Sequence, residues 1–145
     1  MSQNYSKDLS SHRLNKSKDL IVQAQLLFDN KQYDGCINRS YYAIFNAIRA
    51  LLAFLKLDSR KHSGVITFFD MYFVKTGIFS KEFSKIVHKS FDFRQVSDYD
   101  DFYIISIDQA KLQIDNCSKF ISEVESKINQ LLNGEIEVPE IENKR

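Results

Sequence analysis

Between Ile107 and Leu131 the apolar residues Ile107, Ala110, Ile114, Cys117, Ile121, Val124, Ile128 and Leu131 recur at alternating steps of three and four. A strand cannot use that spacing, because its side chains alternate sides with a period of two; an α-helix puts all eight positions on one face. A stripe sustained for more than three heptads has to be covered by other helices, as the seam of an antiparallel bundle or of a dimer. Turn chemistry points the same way. The chain has one proline, Pro139, and four glycines, Gly35, Gly64, Gly77 and Gly134, far too few for the many turns of a β-sandwich.

Upstream, four more helical stripes can be read. The first runs from about Ser11 to Asn30, with Leu14, Ile21, Ala24 and Phe28 on one face. The second, about Tyr33 to Leu57, is the most apolar: Ile37, Tyr41, Ile44, Phe45, Ile48, Leu52 and Leu55 make its core stripe. Ala43, Ala47 and Ala50 lie off that stripe and let a neighbour approach closely, which predicts a central position. Its remaining face repeats Asn38, Tyr42, Asn46, Arg49, Ala53 and Lys56. A third helix spans about His62 to Thr76, with Gly77 as its C-cap. A fourth starts after Ser80, and the line Phe83, Ile86, Val87, Ser90 leads on to Arg94. The expected fold is all-α: an up-down antiparallel helical bundle of about five helices, a four-helix core plus one. Residues 1–10 are expected to be a flexible N-terminus, 11–134 the bundle, and 135–145 a loose polar tail.

At 145 residues and net charge +1, the chain fits one domain with a real core and has no global basic field to advertise sequence-specific DNA binding. Cys36 and Cys117 fall inside helical stripes without a CxxC pair, which reads as buried thiols in a reducing compartment. The N-terminal residues are polar, and no apolar run approaches the roughly 20 residues of a membrane span. A cytoplasmic protein with no membrane partner is expected. There is no Gly-rich phosphate loop, HExxH or GxSxG motif, and His12, His62 and His88 pair with no cysteine at zinc spacing. No metal or cofactor is expected.

The stretch Arg94-Gln95-Val96-Ser97-Asp98-Tyr99-Asp100-Asp101 carries the chemistry. An arginine on the inward line of a helix needs a carboxylate partner or a wet cleft. Asp98 at i,i+4 supplies the first; a pocket at the bundle's end supplies the second. Alternating helix directions would gather the end of the second helix (Lys56, Leu57), the start of the third (Lys61, His62), the end of the fourth and the start of the fifth near Ile104. Arg94, Asp98, Tyr99, His62 and Lys61, with Arg49, Asn46 and Tyr42 from the polar face of the second helix, are therefore the candidate nucleotide- or RNA-binding residues. Arg94 and His62 are the candidate catalytic pair.

The segment Asn38-Arg39-Ser40-Tyr41-Tyr42-Ala43-Ile44-Phe45-Asn46-Ala47-Ile48-Arg49-Ala50-Leu51-Leu52 resembles the "RAYYAxFHAARALL" helix of prokaryotic HEPN (higher eukaryotes and prokaryotes nucleotide-binding) proteins. Lys61-His62-Ser63-Gly64-Val65-Ile66 resembles that branch's next block, and Arg94 to Asp100 its "RxxxDYD" ending. The resemblance implies a helical bundle that commonly dimerises. Many members are metal-independent ribonucleases, or toxins paired with a minimal nucleotidyltransferase. Their signature is Arg, four to six residues, then His. Arg94 matches the arginine, but Tyr99, Asp100 and Asp101 stand where the histidine would be. A tyrosine with a pKa of about 10 exchanges protons poorly near neutrality. The reading is thus a homodimeric binding subunit rather than an enzyme, engaging a nucleotide or a nucleotidyltransferase partner through its Arg94 end. The alternative is a ribonuclease toxin using Arg94 with a non-standard acid/base, His62 being the available imidazole.

Overall fold

The computed structural model describes residues 2–141. Five α-helices follow in order: α1 (Ser2–Asp29), α2 (Tyr33–Leu52), α3 (His62–Phe69), α4 (Lys81–Tyr99) and α5 (Ile107–Leu132). No strand occurs among the described residues. The helical bundle is as the periodicity requires.

α1 and α2 form the tightest pair, joined by a three-residue turn that Lys31 enters with a φ of 61°. Their contact is built from small residues: Ser10, Ser17 and Ala24 on α1 face Ser40, Ala43 and Ala47 on α2, all buried. Ser17 donates its hydroxyl to the Ala43 carbonyl at 2.6 Å, which a bulkier residue could not do at that distance. α2 is central, packing on α1, α3, α4 and α5. Across from it, Phe69, Phe73, Phe79, Phe83 and Phe120 interlock with ring centroids 5.2–6.4 Å apart, tying α3, α4 and α5 together. Ser106 opens α5 with a capping box, its side chain accepting from the Gln109 amide while Gln109 reaches back to the Ser106 N–H.

Several boundaries differ from expectation for identifiable reasons. The N-terminus expected to be flexible is helical from Ser2, and Ser6 and Ser10 are buried; serines serve there as small packing residues, a role that polarity hides. The α-helical part of α2 stops at Leu52, passes through a 3-10 turn (Ala53–Leu55) and ends at Lys56 with a φ of 56°. α3 ends at Phe69 and continues as a π-turn (Asp70–Val74), where Asp70 accepts from the Ser84 hydroxyl (2.7 Å) and pairs with His88 (2.6 Å) on α4. α4 runs through Asp98 and ends at Tyr99, so the stretch from Arg94 forms its last turns. The tail is less loose than expected at its start: Ile136 donates its N–H to the Gln130 carbonyl and packs on the core. Its last four positions, 142–145, lie outside the described residues.

One topological expectation fails. Lys56 and Leu57 were expected beside Arg94, but they line a hollow with Tyr5, Ser6 and Leu9 of α1. Residues 56–61 fold back along α2, so α3 begins beside the middle of α2 and not beyond its end. His62 therefore rests on Phe45, four residues before Arg49.

Candidate functional site

α4 buries Phe83, Ile86, Val87 and Ser90 along one line. Ser90 is held by the Gln113 amide of α5, and Arg94 comes one turn later, against the first half of α2. Its guanidinium lies 5.2 Å from the Tyr41 ring centroid and 5.4 Å from that of Tyr42, within cation–π range of both. Nη2 donates to the Tyr42 hydroxyl at 3.1 Å. Nε is 2.8 Å from Asp98 Oδ2, so the i,i+4 pair forms, but the N–H is poorly aligned with that oxygen and Nε has no hydrogen bond of its own. With its side chain 19% exposed, Arg94 is a partly desolvated cation whose hydrogen-bonding capacity is not used up by the protein.

His62, the first residue of α3, sits in the same ring cluster. Its centroid is 4.3 Å from Phe45, 5.6 Å from Tyr41 and 5.8 Å from Tyr42, and Nδ1 is 2.9 Å from the Tyr41 hydroxyl. Burial, and then the charge of Arg94, hold His62 below the ordinary imidazole value. Burial pushes Tyr41 well above the ordinary phenol value, opposed by Arg94. Tyr41 thus keeps its proton, and its hydroxyl can donate to His62 Nδ1, the roles in this contact following the imidazole tautomer. A neutral imidazole that accepts at Nδ1 carries its hydrogen on Nε2. The cluster therefore offers two donors, the Arg94 guanidinium and His62 Nε2, over a floor of aromatic rings. An anionic oxygen is what such donors suit.

A second basic group adjoins it across Phe45. The Arg49 guanidinium lies 5.9 Å from the Phe45 centroid, on a ring also packed by His62. Arg49 grips Asp58 with two bonds of 2.7 and 3.2 Å. Arg13 of α1 donates to the Arg49 carbonyl at 3.0 Å and reaches Asp58 at 3.4 Å. The Arg49 hydrogen bonds hold the Asp58 carboxyl below its usual range, and burial, then the Arg49 charge, lowers Arg13.

Of the residues singled out from sequence, Arg94, His62, Tyr42 and Asp98 come together, and Arg49 borders them. Three do not join. Asn46 is buried and spends its amide on the Tyr42 carbonyl at 2.8 Å. Lys61 is exposed, with its backbone N–H on Ser59 Oγ. Tyr99 is 80% exposed on the outer surface of α4. Sequence reading missed Tyr41 and Phe45 as site residues, placing both in the core stripe; Tyr41 is indeed buried, and only its hydroxyl reaches the site. It also missed Arg13. Among the described residues no group of three or more His, Cys, Asp or Glu could hold a metal ion, and no helix is long and apolar enough to cross a membrane.

A family model described as the HEPN domain matches residues 10–127. Among similar proteins, one of Methanocaldococcus jannaschii named "Putative toxin MJ0605" is 39% identical over 83 residues, spanning 57% of this chain and 62% of its own length. A "UPF0332 protein" of Thermotoga maritima is 33% identical over 116 residues, covering 80% of this chain and 88% of its own. A further M. jannaschii protein, "Putative toxin MJ0142", is 26% identical over 124 residues, 84% of each chain.

Proposed function

Because this chain belongs to the HEPN-domain family, we propose that it is a homodimeric binding subunit of that family whose Arg94–His62 face holds the phosphate of a nucleotide or of RNA. One observation carries the reading: Arg94 is caught between two tyrosine rings beside an imidazole whose Nδ1 lies 2.9 Å from the Tyr41 hydroxyl. That is the arrangement of a phosphate receptor. It is a poor arrangement for a general base, which needs a bare nitrogen facing the substrate. The partner that the family resemblance implies is a minimal nucleotidyltransferase.

The dimer is assigned to the end of α4 and the connection to α5, where Tyr99, Phe102 and Ile104 are 80%, 92% and 86% exposed. Large apolar side chains that open to water in one cluster mark a surface meant to be covered. The binding test is titration with nucleoside monophosphates and short RNA. Saturable binding that Arg94→Ala weakens at least tenfold supports the reading; binding that ignores Arg94 rejects it.

A second reading has its own support. The relatives named as toxins, together with an imidazole beside Arg94 where the 99–101 positions have none, favour a ribonuclease in which His62 Nε2–H is the general acid and Arg94 steadies the phosphorane charge. Recombinant protein assayed on RNA separates the two. Cleavage lost in both Arg94→Ala and His62→Ala would establish the enzyme, and absence of cleavage with intact binding leaves the binding subunit.

A further inference from the structure

The connection from α4 to α5 is apolar on both of its sides. Residues 103–106 carry no helix or turn, and in such an extended segment successive side chains point to opposite sides. Ile105 turns inward and is buried. Tyr103 turns inward as well: its ring packs edge-on against Phe93, 6.0 Å between centroids, and its hydroxyl accepts from Gln109 at 3.0 Å. Phe102 and Ile104 turn outward and are almost fully exposed. Phe102 is anchored in that position, because its N–H donates to the Asp100 carboxylate at 3.0 Å. A segment with apolar residues on both faces has the pattern of one that is buried on both. A single chain covers only the inner face.

A receptor for the outer side chains lies next to them. Between α4 and α5 is a hollow of about 370 Å³ with Phe93 and Val96 from α4, Leu112 from α5 and Tyr103 from the connection in its lining. Val96 and Leu112 are themselves 44% and 48% exposed. Phe102 does not fill the hollow of its own chain, since it points to the opposite side of the segment from Tyr103 and stands in solvent. A projection and a hollow side by side on one chain are self-complementary under a two-fold axis, where each copy gives its projection to the other and receives one in return. Charge agrees with this pairing. Asp100 and Asp101 precede Phe102, and the hollow's lining includes Lys89, with Asp92 a turn further along α4. Arg94 faces α2, on the other side of α4 from Val96, so a chain seated in the hollow leaves the Arg94–His62 face open.

Resting on the dimer proposed above, we infer that its two copies exchange side chains: Phe102 of each chain seats in the α4–α5 hollow of the other, with Asp101 set against the partner's Lys89.

The test reads the oligomeric state of the full chain and its variants by sedimentation equilibrium. Phe102→Asp alters the projection and Leu112→Asp the hollow; both residues are exposed, so circular dichroism should show unchanged helicity. Each substitution alone is expected to raise the dimer dissociation constant roughly tenfold or more. Mixed in equal amounts, the two variants should associate again, because the intact projection of the Leu112→Asp chain meets the intact hollow of the Phe102→Asp chain and restores one of the two contacts. A flat apolar patch gives no such recovery. Lys89→Glu should weaken the dimer, and Asp101→Lys in the same chain should restore it. A dimer indifferent to Leu112→Asp, or a mixture of the two variants that stays monomeric, would overturn the exchange and leave the dimer itself standing. A parent chain that is monomeric at every concentration would remove the dimer and this inference with it.

Discussion

His62 shows how a single side chain acquires its role from what surrounds it. The sequence supplied the residue and its neighbourhood, but not the partner at its Nδ1, because Tyr41 has the helical position of a core residue and is indeed 1% exposed. Only its hydroxyl leaves the core, to meet Nδ1. Tyr41→Phe removes that donor, which should cost about 1 kcal/mol of stability and, in nitrogen-detected NMR spectra, shift the His62 tautomer away from Nε2–H. Spectra unchanged by the substitution would sink the tautomer argument. The pH dependence has a definite sign. An unfolded imidazole titrates near 6.5, and burial and Arg94 hold the folded His62 below this. The folded state then binds the proton less tightly than the unfolded one. His62's contribution is fully present above about 6.5 and is lost as pH falls through the lowered folded value. Urea unfolding at about pH 7 and pH 5 should therefore show a smaller loss of stability in His62→Gln than in the parent chain; equal losses would contradict the lowered value.

At the level of the elements, the stripes were legible because apolar residues at three-four spacing can serve only one purpose. Helix ends and backtracking loops were not. The serines of α1 are polar in composition yet packed in structure, and nothing in the spacing of Asp58-Ser59-Arg60-Lys61 shows that this segment folds back to set His62 beside Phe45. Arg94 was found because it continues an inward line; Arg13 was missed because its reason for being there, the Arg49–Asp58 pair, comes from two other elements. Gly64 is the point on which the fold-back turns. A Cβ there would lie 2.2 Å from Ser59 Oγ and 2.9 Å from Ser59 Cβ, and Ser59 Oγ is the acceptor for the Lys61 N–H at the entry to α3. Gly64→Ala is expected to destabilise the chain by about 1–3 kcal/mol and to displace His62, read as weakened ligand binding beyond the stability loss. Unaltered unfolding would show that the loop relaxes freely. In the core, Phe120→Ala opens a hole against Phe69, Phe79 and Phe83 and should cost about 3–5 kcal/mol, measured by the same unfolding curves.

For the molecule as a whole, the bundle and the family agree, and the imidazole beside Arg94 comes from a position outside the linear motif. His62 lies thirty-two residues before Arg94, and topology alone puts the two on the same pair of tyrosine rings. On the proposed dimer, whose contact would cover the exposed Tyr99, Phe102 and Ile104, Phe102→Asp should yield a monomer by light scattering without loss of helicity; a dimer that persists would place the interface elsewhere. Both thiols are buried, with Cys36 pushed up to about 11 by burial, and should resist thiol reagents until the chain unfolds. The central claim concerns the Arg94–His62 face. Its most direct test is calorimetric titration of short single-stranded RNA into the parent chain and Arg94→Ala at low salt: saturable binding in the first, weakened tenfold or more in the second, is the result predicted, and equal affinity in the two would contradict it.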